Sequence, residues 1–223
     1  FFDRQYEKGM DWYRRCFAAT EGRARARATI RGEATPSYVF HPHAVQRIRA
    51  DVPEARLIVL LRSPVDRAYS HYWHSVRLGH ETLSFEDAVA REPERLAGEL
   101  EKTERDAGYT SDALVQHSYL SRGIYADQLA RVFRHFPRDR VKILKSEDLY
   151  AAPQVVFDEV AHFLGIEPWT IAGPRNMTAV TEGTGDWRPP PMPGDVRCAL
   201  AGWFRSHNER LYELVGHDFG WER

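Results

Sequence analysis

The sequence predicts an α/β fold, a parallel sheet flanked by helices, and three observations point to it. "ARLIVLL" at 55–61 is continuous rather than alternating, the pattern of a strand covered on both faces, and "RVKIL" at 140–144 reads as a second buried strand. Between them "GIYADQLARVFRHFP" carries Tyr125, Leu129, Val132, Phe133 and Phe136 along one helical stripe. After the second run "PQVVFDEVAHFLGI" reads as another helix, with Pro153 at its start and Gly165 at its end. Strand, helix, strand and helix in that order make a right-handed crossover unit.

The remaining elements follow in chain order. Tyr6, Met10, Tyr13 and Phe17 recur at helical intervals across "YEKGMDWYRRCF", with Gly9 interrupting. Arg23 to Arg27 alternate with alanine, and no aromatic side chains interleave to stack on bases, so the segment reads as a solvated edge. The chain turns at Thr35-Pro36 and His41-Pro42, then gives a short helix with Val45 and Ile48 on its apolar side. Pro64 opens a helix directly after the first strand. Ser84 and Asp87 stand at capping-box spacing, and the charged stretch onward to Ser111 reads as a flexible or partly helical excursion. The Gly- and Pro-rich run 176–195 reads as a loop or lid, and "VRCALAGWFRSHNERLYELVG" as a last helix packed through Leu200, Trp203, Phe204 and Leu211.

Bulk composition narrows the function classes. With 223 residues, 43% hydrophobic and 28% charged, one domain over 1–223 is the default. The net charge of −1 is interspersed and proposes neither a nucleic-acid nor a membrane partner, and no apolar run approaches bilayer length. Cys16 and Cys198 make no disulfide framework, which favours a cytoplasmic setting. "HPH" at 41–43 and "HYWH" at 71–74 lack acidic or cysteine partners at ligand spacing, so no metal site is expected. Oligomeric state leaves no mark.

The chemistry concentrates in "LIVLLRSPVDRAYSHYWHS". An aliphatic strand ends on Arg62, turns at a proline and enters a helix carrying Arg67 and Ser70. A guanidinium fork, a hydroxyl and the positive end of a helix together suit an anion. The plainer reading pairs Arg62 with Asp66 or Asp51 on the surface. No Gly-Lys-Ser or Gly-Lys-Thr occurs, which argues against a P-loop kinase.

Six stretches in this order carry a resemblance: "FFDRQYEKGMDWY", "EATPSY", "LLRSPVDRAYSHY", "RGIYADQL", "KSEDL" and "FRSHNERLYELVGHDFGW". Together the chain resembles the sulfotransferases that use 3′-phosphoadenosine-5′-phosphosulfate, in the branch of the heparan-sulfate enzymes and their bacterial relatives. The resemblance implies a P-loop-NTPase-like sheet, metal-free transfer of a sulfuryl group to a hydroxyl or amine of a small-molecule or glycan acceptor, and release of 3′-phosphoadenosine-5′-phosphate. It implies that Arg62 and Ser70 hold the 3′-phosphate, with Arg188 the nearest cation in the late loop. Asp3 and Glu33 fall on the acceptor side, and Arg122 and Tyr125 beside the same cleft. Ala34 stands where heparan-type enzymes often carry lysine, which counts against a polyanionic sugar. The family's first strand, its sulfate-side loop and its general base precede the "FFD" motif. The resemblance therefore implies a domain incomplete at its N-terminus, with the base upstream of Phe1 and no catalytic residue assignable. A non-catalytic module binding the same nucleotide is the alternative.

Overall fold

The computed structural model describes residues 1–17, 30–171 and 189–222. After a 3-10 turn at Tyr6–Lys8, the helices and strands run α1 (Gly9–Arg15), α2 (Ala44–Asp51), β1 (Leu57–Leu61), α3 (Pro64–Arg77), α4 (Phe85–Arg95), α5 (Glu99–Arg105) and α6 (Asp112–Gln116). They continue through α7 (Tyr125–His135), β2 (Val141–Lys145), α8 (Ser146–Ala151), α9 (Pro153–Leu164) and α10 (Gly194–Val215). β1 and β2 pair in parallel, from Leu57 opposite Val141 to Leu61 opposite Lys145.

One face of this pair is the main core. Val59 and Leu61 meet Ala44, Val45 and Ile48 of α2 and Leu129, Val132 and Phe136 at the α7 side, with Phe2, Leu211 and Phe219 closing it. Leu129 and Val132 are completely buried, and each such side chain stabilises the fold by about 1.5–3 kcal/mol. A second cluster joins Val65, Ala68 and Tyr72 of α3 to Phe85 and Ala88 of α4, Tyr119, and Leu200 and Phe204 of α10.

One expectation is corrected and another is decided between its alternatives. β1 is not covered on both faces: Ile58 and Leu60 are 42% and 48% exposed, while Val59 and Leu61 are buried. Helices pack over only one side of the strand among the described residues, so its continuous aliphatic run conceals an alternating burial. For the charged stretch after residue 77, read as flexible or partly helical, the helical alternative holds. Ser84 accepts the Asp87 amide at 3.1 Å to start α4, and α5 and α6 follow. Its carboxylates turn inward: Glu81 takes Arg95, the Tyr119 hydroxyl and the amides of Thr82 and Leu83, while Glu92 accepts the amides of Leu120 and Ser121 at 2.6 and 2.8 Å. Buried carboxylates that receive this many donors pin loops in place. Among the described residues no helix is long and apolar enough to cross a membrane.

Candidate functional site

β1 delivers Leu61 to the core and Arg62 to solvent. Ser63 is extended at φ −41° and ψ 121°, as a residue before proline is constrained to be, and Pro64 begins α3. The Arg62 guanidinium has no hydrogen-bond or ion-pair partner among the described residues, and neither has the Ser70 hydroxyl in the second turn of α3. Both carboxylates that could have neutralised Arg62 are engaged elsewhere. Asp66 pairs with Arg197 of α10 at 2.6 Å, and Asp51 faces Tyr6, whose pKa its hydrogen bond raises. An exposed guanidinium at the end of β1, and a hydroxyl in the second turn of the 14-residue helix that follows, both without a partner among the described residues, are an open set of anion donors.

Arg67 points the other way. Its guanidinium donates to the carbonyls of Tyr119 and Ser118 and, at 3.4 Å, to Nδ1 of His71. His71 Nε2 lies 3.0 Å from the Val115 carbonyl. A guanidinium can only donate and a carbonyl only accept, so His71 carries its proton on Nε2 and is neutral. Burial, reinforced by the charges of Arg67 and Arg122, pushes its pKa down to about 3. Arg122 has a similar environment, with Nε donating to Ser118 Oγ at 3.0 Å, Nη2 to the Leu114 carbonyl at 2.9 Å, and the guanidinium 4.7 Å over Phe40. Burial and the neighbouring Arg67 charge lower it to about 10, which leaves it cationic at neutral pH.

Arg122 and Asp3 line one cavity of about 40 Å³, together with Arg4, Ser37 and His41. Burial pushes the Asp3 carboxyl up, but the hydrogen bond from Ser37 and nearby positive charge outweigh it, so the net shift is downward. His41 is driven to about 4 by burial and by the Arg47 charge. The cavity therefore presents one carboxylate, two cations and a neutral imidazole at pH 7. Next to Arg122 in sequence, Gly123 packs on the start of α3: a Cβ built there would lie 3.1 Å from Pro64 Cβ and 2.8 Å from the Phe204 ring. Only glycine lets the wall holding Arg122 approach the first residue of α3 this closely.

Glu33 and Tyr125 lie apart from that cavity. Glu33 is exposed and accepts the hydroxyls of Tyr13 and Tyr38 at 2.9 Å and of Thr35 at 3.1 Å. Tyr125 is 6% exposed within the core, and burial raises its pKa to about 12. Its hydroxyl donates to the Arg62 carbonyl at 2.9 Å, at the turn between β1 and α3. Glu147 escaped the sequence reading, yet its carboxylate accepts the Ser63 amide at 2.8 Å. The signal was present: in a parallel pair, the second residue past β2 stands beside the second residue past β1. Arg188 and the stripe Arg23 to Arg27 lie outside the described residues.

Residues 2–176 match the family model described as the sulfotransferase domain. Human heparan sulfate glucosamine 3-O-sulfotransferase 3B1 is 30% identical over 240 residues, covering 100% of this chain and 56% of that protein. Human bifunctional heparan sulfate N-deacetylase/N-sulfotransferase 3 is 28% identical, covering 99% of this chain and 26% of its own length. The chain thus spans little more than half of the first of these relatives. Among solved structures, a sulfotransferase from Alicyclobacillus acidocaldarius superposes with a TM-score of 0.70 at 30% identity, over 96% of this chain and 74% of that one.

Proposed function

Because the chain belongs to the sulfotransferase domain family, we propose that it binds 3′-phosphoadenosine-5′-phosphosulfate and takes part in transferring its sulfuryl group to a hydroxyl or amine of a glycan or small-molecule acceptor. The observation that carries this reading is the Arg62 guanidinium at the end of β1, which, like the Ser70 hydroxyl on the helix that follows, has no partner among the described residues. Arg62 supplies a planar pair of donors and Ser70 a third, so a 3′-phosphate can be held in a fixed orientation with its charge offset. The nucleotide supplies the activated sulfuryl group. What the transfer asks of protein is placement of the acceptor in line and stabilisation of the charge spread over the transferring oxygens.

On the acceptor side the reading rests on the cavity of Asp3 and Arg122. Asp3, held ionised by Ser37, is able to accept from an acceptor hydroxyl or amine, and Arg122 and Arg4 can pair with an anionic acceptor group. A cytoplasmic setting belongs to the same proposal and is supported by the free, exposed thiols of Cys16 and Cys198, which an oxidising compartment would modify.

Titration calorimetry with 3′-phosphoadenosine-5′-phosphate tests the central claim. Arg62→Ala removes a charge-assisted contact and is expected to cost about 2–4 kcal/mol, or some tens- to several-hundredfold in affinity. An unchanged dissociation constant sinks the assignment.

A further inference from the structure

The two hydrogen bonds that reach the β1–α3 turn from outside end on a single chemical unit. The Arg62 carbonyl and the Ser63 N–H belong to the same peptide bond. Its oxygen accepts from the Tyr125 hydroxyl at 2.9 Å, and its nitrogen donates to Glu147 Oε1 at 2.8 Å. Peptide bonds are planar, so gripping both polar ends fixes the rotation of the whole unit. Each clamp is itself fixed: Tyr125 is buried in the first turn of α7, and the other Glu147 oxygen accepts from the Ser146 hydroxyl at 3.2 Å, at the start of α8. The plane of that peptide sets the ψ of Arg62, whose side chain makes no hydrogen bond or ion pair among the described residues and so has nothing else to orient it.

We propose that Tyr125 and Glu147 are positioning residues for the 3′-phosphate site: they lock the Arg62–Ser63 peptide and thereby aim the Arg62 guanidinium before any nucleotide arrives. Two features of the pair suit the task. Burial keeps the tyrosine protonated, with a pKa of about 12, so it remains a donor across the physiological range. A carboxylate is the strongest acceptor available for an amide that the helix beginning at Pro64 leaves unpaired. The arrangement also explains why an acidic residue is tolerated beside an anion site, since its charge is turned onto the backbone. Preorganisation of this kind removes the conformational loss that a free arginine would suffer on binding.

This inference rests on the reading of Arg62 as a 3′-phosphate ligand, and the experiment separates the two. The readout is the ratio of dissociation constants for adenosine 5′-phosphate and 3′-phosphoadenosine-5′-phosphate, measured by calorimetry on the wild type, Arg62→Ala, Tyr125→Phe and Glu147→Gln. A ratio near one in the wild type, or one that Arg62→Ala leaves intact, overturns the assignment of Arg62 and this proposal with it. If Arg62→Ala collapses the ratio, Tyr125→Phe and Glu147→Gln are each expected to lower it about three- to tenfold. In an Arg62→Ala background neither should lower it further. A merely structural role would depress the melting temperature and weaken both nucleotides alike, leaving the ratio unchanged, and that result refutes the clamp. Should Glu147→Gln not fold, the isosteric Tyr125→Phe carries the test. The wild type offers a check that needs no substitution: the Ser63 amide should resist hydrogen exchange with and without nucleotide, and rapid exchange in the complex refutes the clamp as well.

Discussion

His71 shows how one side chain translates burial into a pH response. Its Nδ1 faces a guanidinium and its Nε2 a carbonyl, so a second proton has nowhere favourable to go. The folded pKa of about 3 lies below the ordinary histidine value of 6.5, so the unfolded chain binds the proton first. Stability is therefore intact above pH 6.5 and declines as pH falls from there toward 3. Glutamine can donate to Val115 and accept from Arg67 without titrating. We expect His71→Gln to lose about 1–2 kcal/mol less than the wild type between pH 7 and 5, read from urea midpoints. That window lies above the range in which Glu81, held near 2 against the opposing effect of burial by Arg95, the Leu83 amide and Tyr119, begins to matter. His41 retains its own share of the acid loss, so the slope should flatten without vanishing. At this scale the sequence was only partly readable. Arg62 stood out because a cation directly after an aliphatic strand is conspicuous, whereas Tyr125 fits an apolar helical stripe whether or not its hydroxyl does anything.

Among the elements, the turn at Ser121–Gly123 is the junction on which the others depend, because α3, α10 and the Arg122 wall converge there. Gly123→Ala places a methyl group against the fully buried Phe204 ring and against Pro64. The ring has little room to retreat, so overpacking should cost about 1–3 kcal/mol in thermal or urea melts. Because Pro64 is the first residue of α3, the same change should weaken nucleotide binding, whereas Gly202→Ala on α10, with open space around its Cβ, should leave binding unaltered. Helices with a clean apolar stripe, α7 and α9, were legible from spacing, as were the Ser84 cap and the glycine that ends α9 at φ 72°. α5 and α6 were legible only as a flexible or partly helical stretch, because Glu81, Glu92 and Glu99 look like surface charge until their donors are known. Those donors come from Arg95, Tyr119, Tyr109, Ser111 and the amides after Tyr119, which no local pattern links to them.

Across the whole molecule, α10 unites the two apolar clusters: Leu200 and Phe204 belong to one and Leu211 to the other. The alternation of strand and helix made the parallel sheet legible from sequence, and the motif order made the family legible. The pairing of Asp3 with Arg122 around one cavity was implied by that family likeness alone, since 119 residues of chain separate the two. Sequence distance has a further consequence for β1, in terms of time. Every residue of that strand waits for a partner 84 positions downstream. At synthesis rates of about 5–20 residues per second, the wait lasts about 4–17 s. Throughout it, five aliphatic side chains and an unpaired backbone edge are available to any other sticky surface. Two of those side chains, Ile58 and Leu60, stay partly exposed even after β2 arrives. Stalled nascent chains that end before β2 should therefore be captured by a chaperone that recognises apolar strands. Leu60→Gln should reduce that capture while changing the melting temperature of the finished protein by little, because it alters a residue that the fold leaves half uncovered.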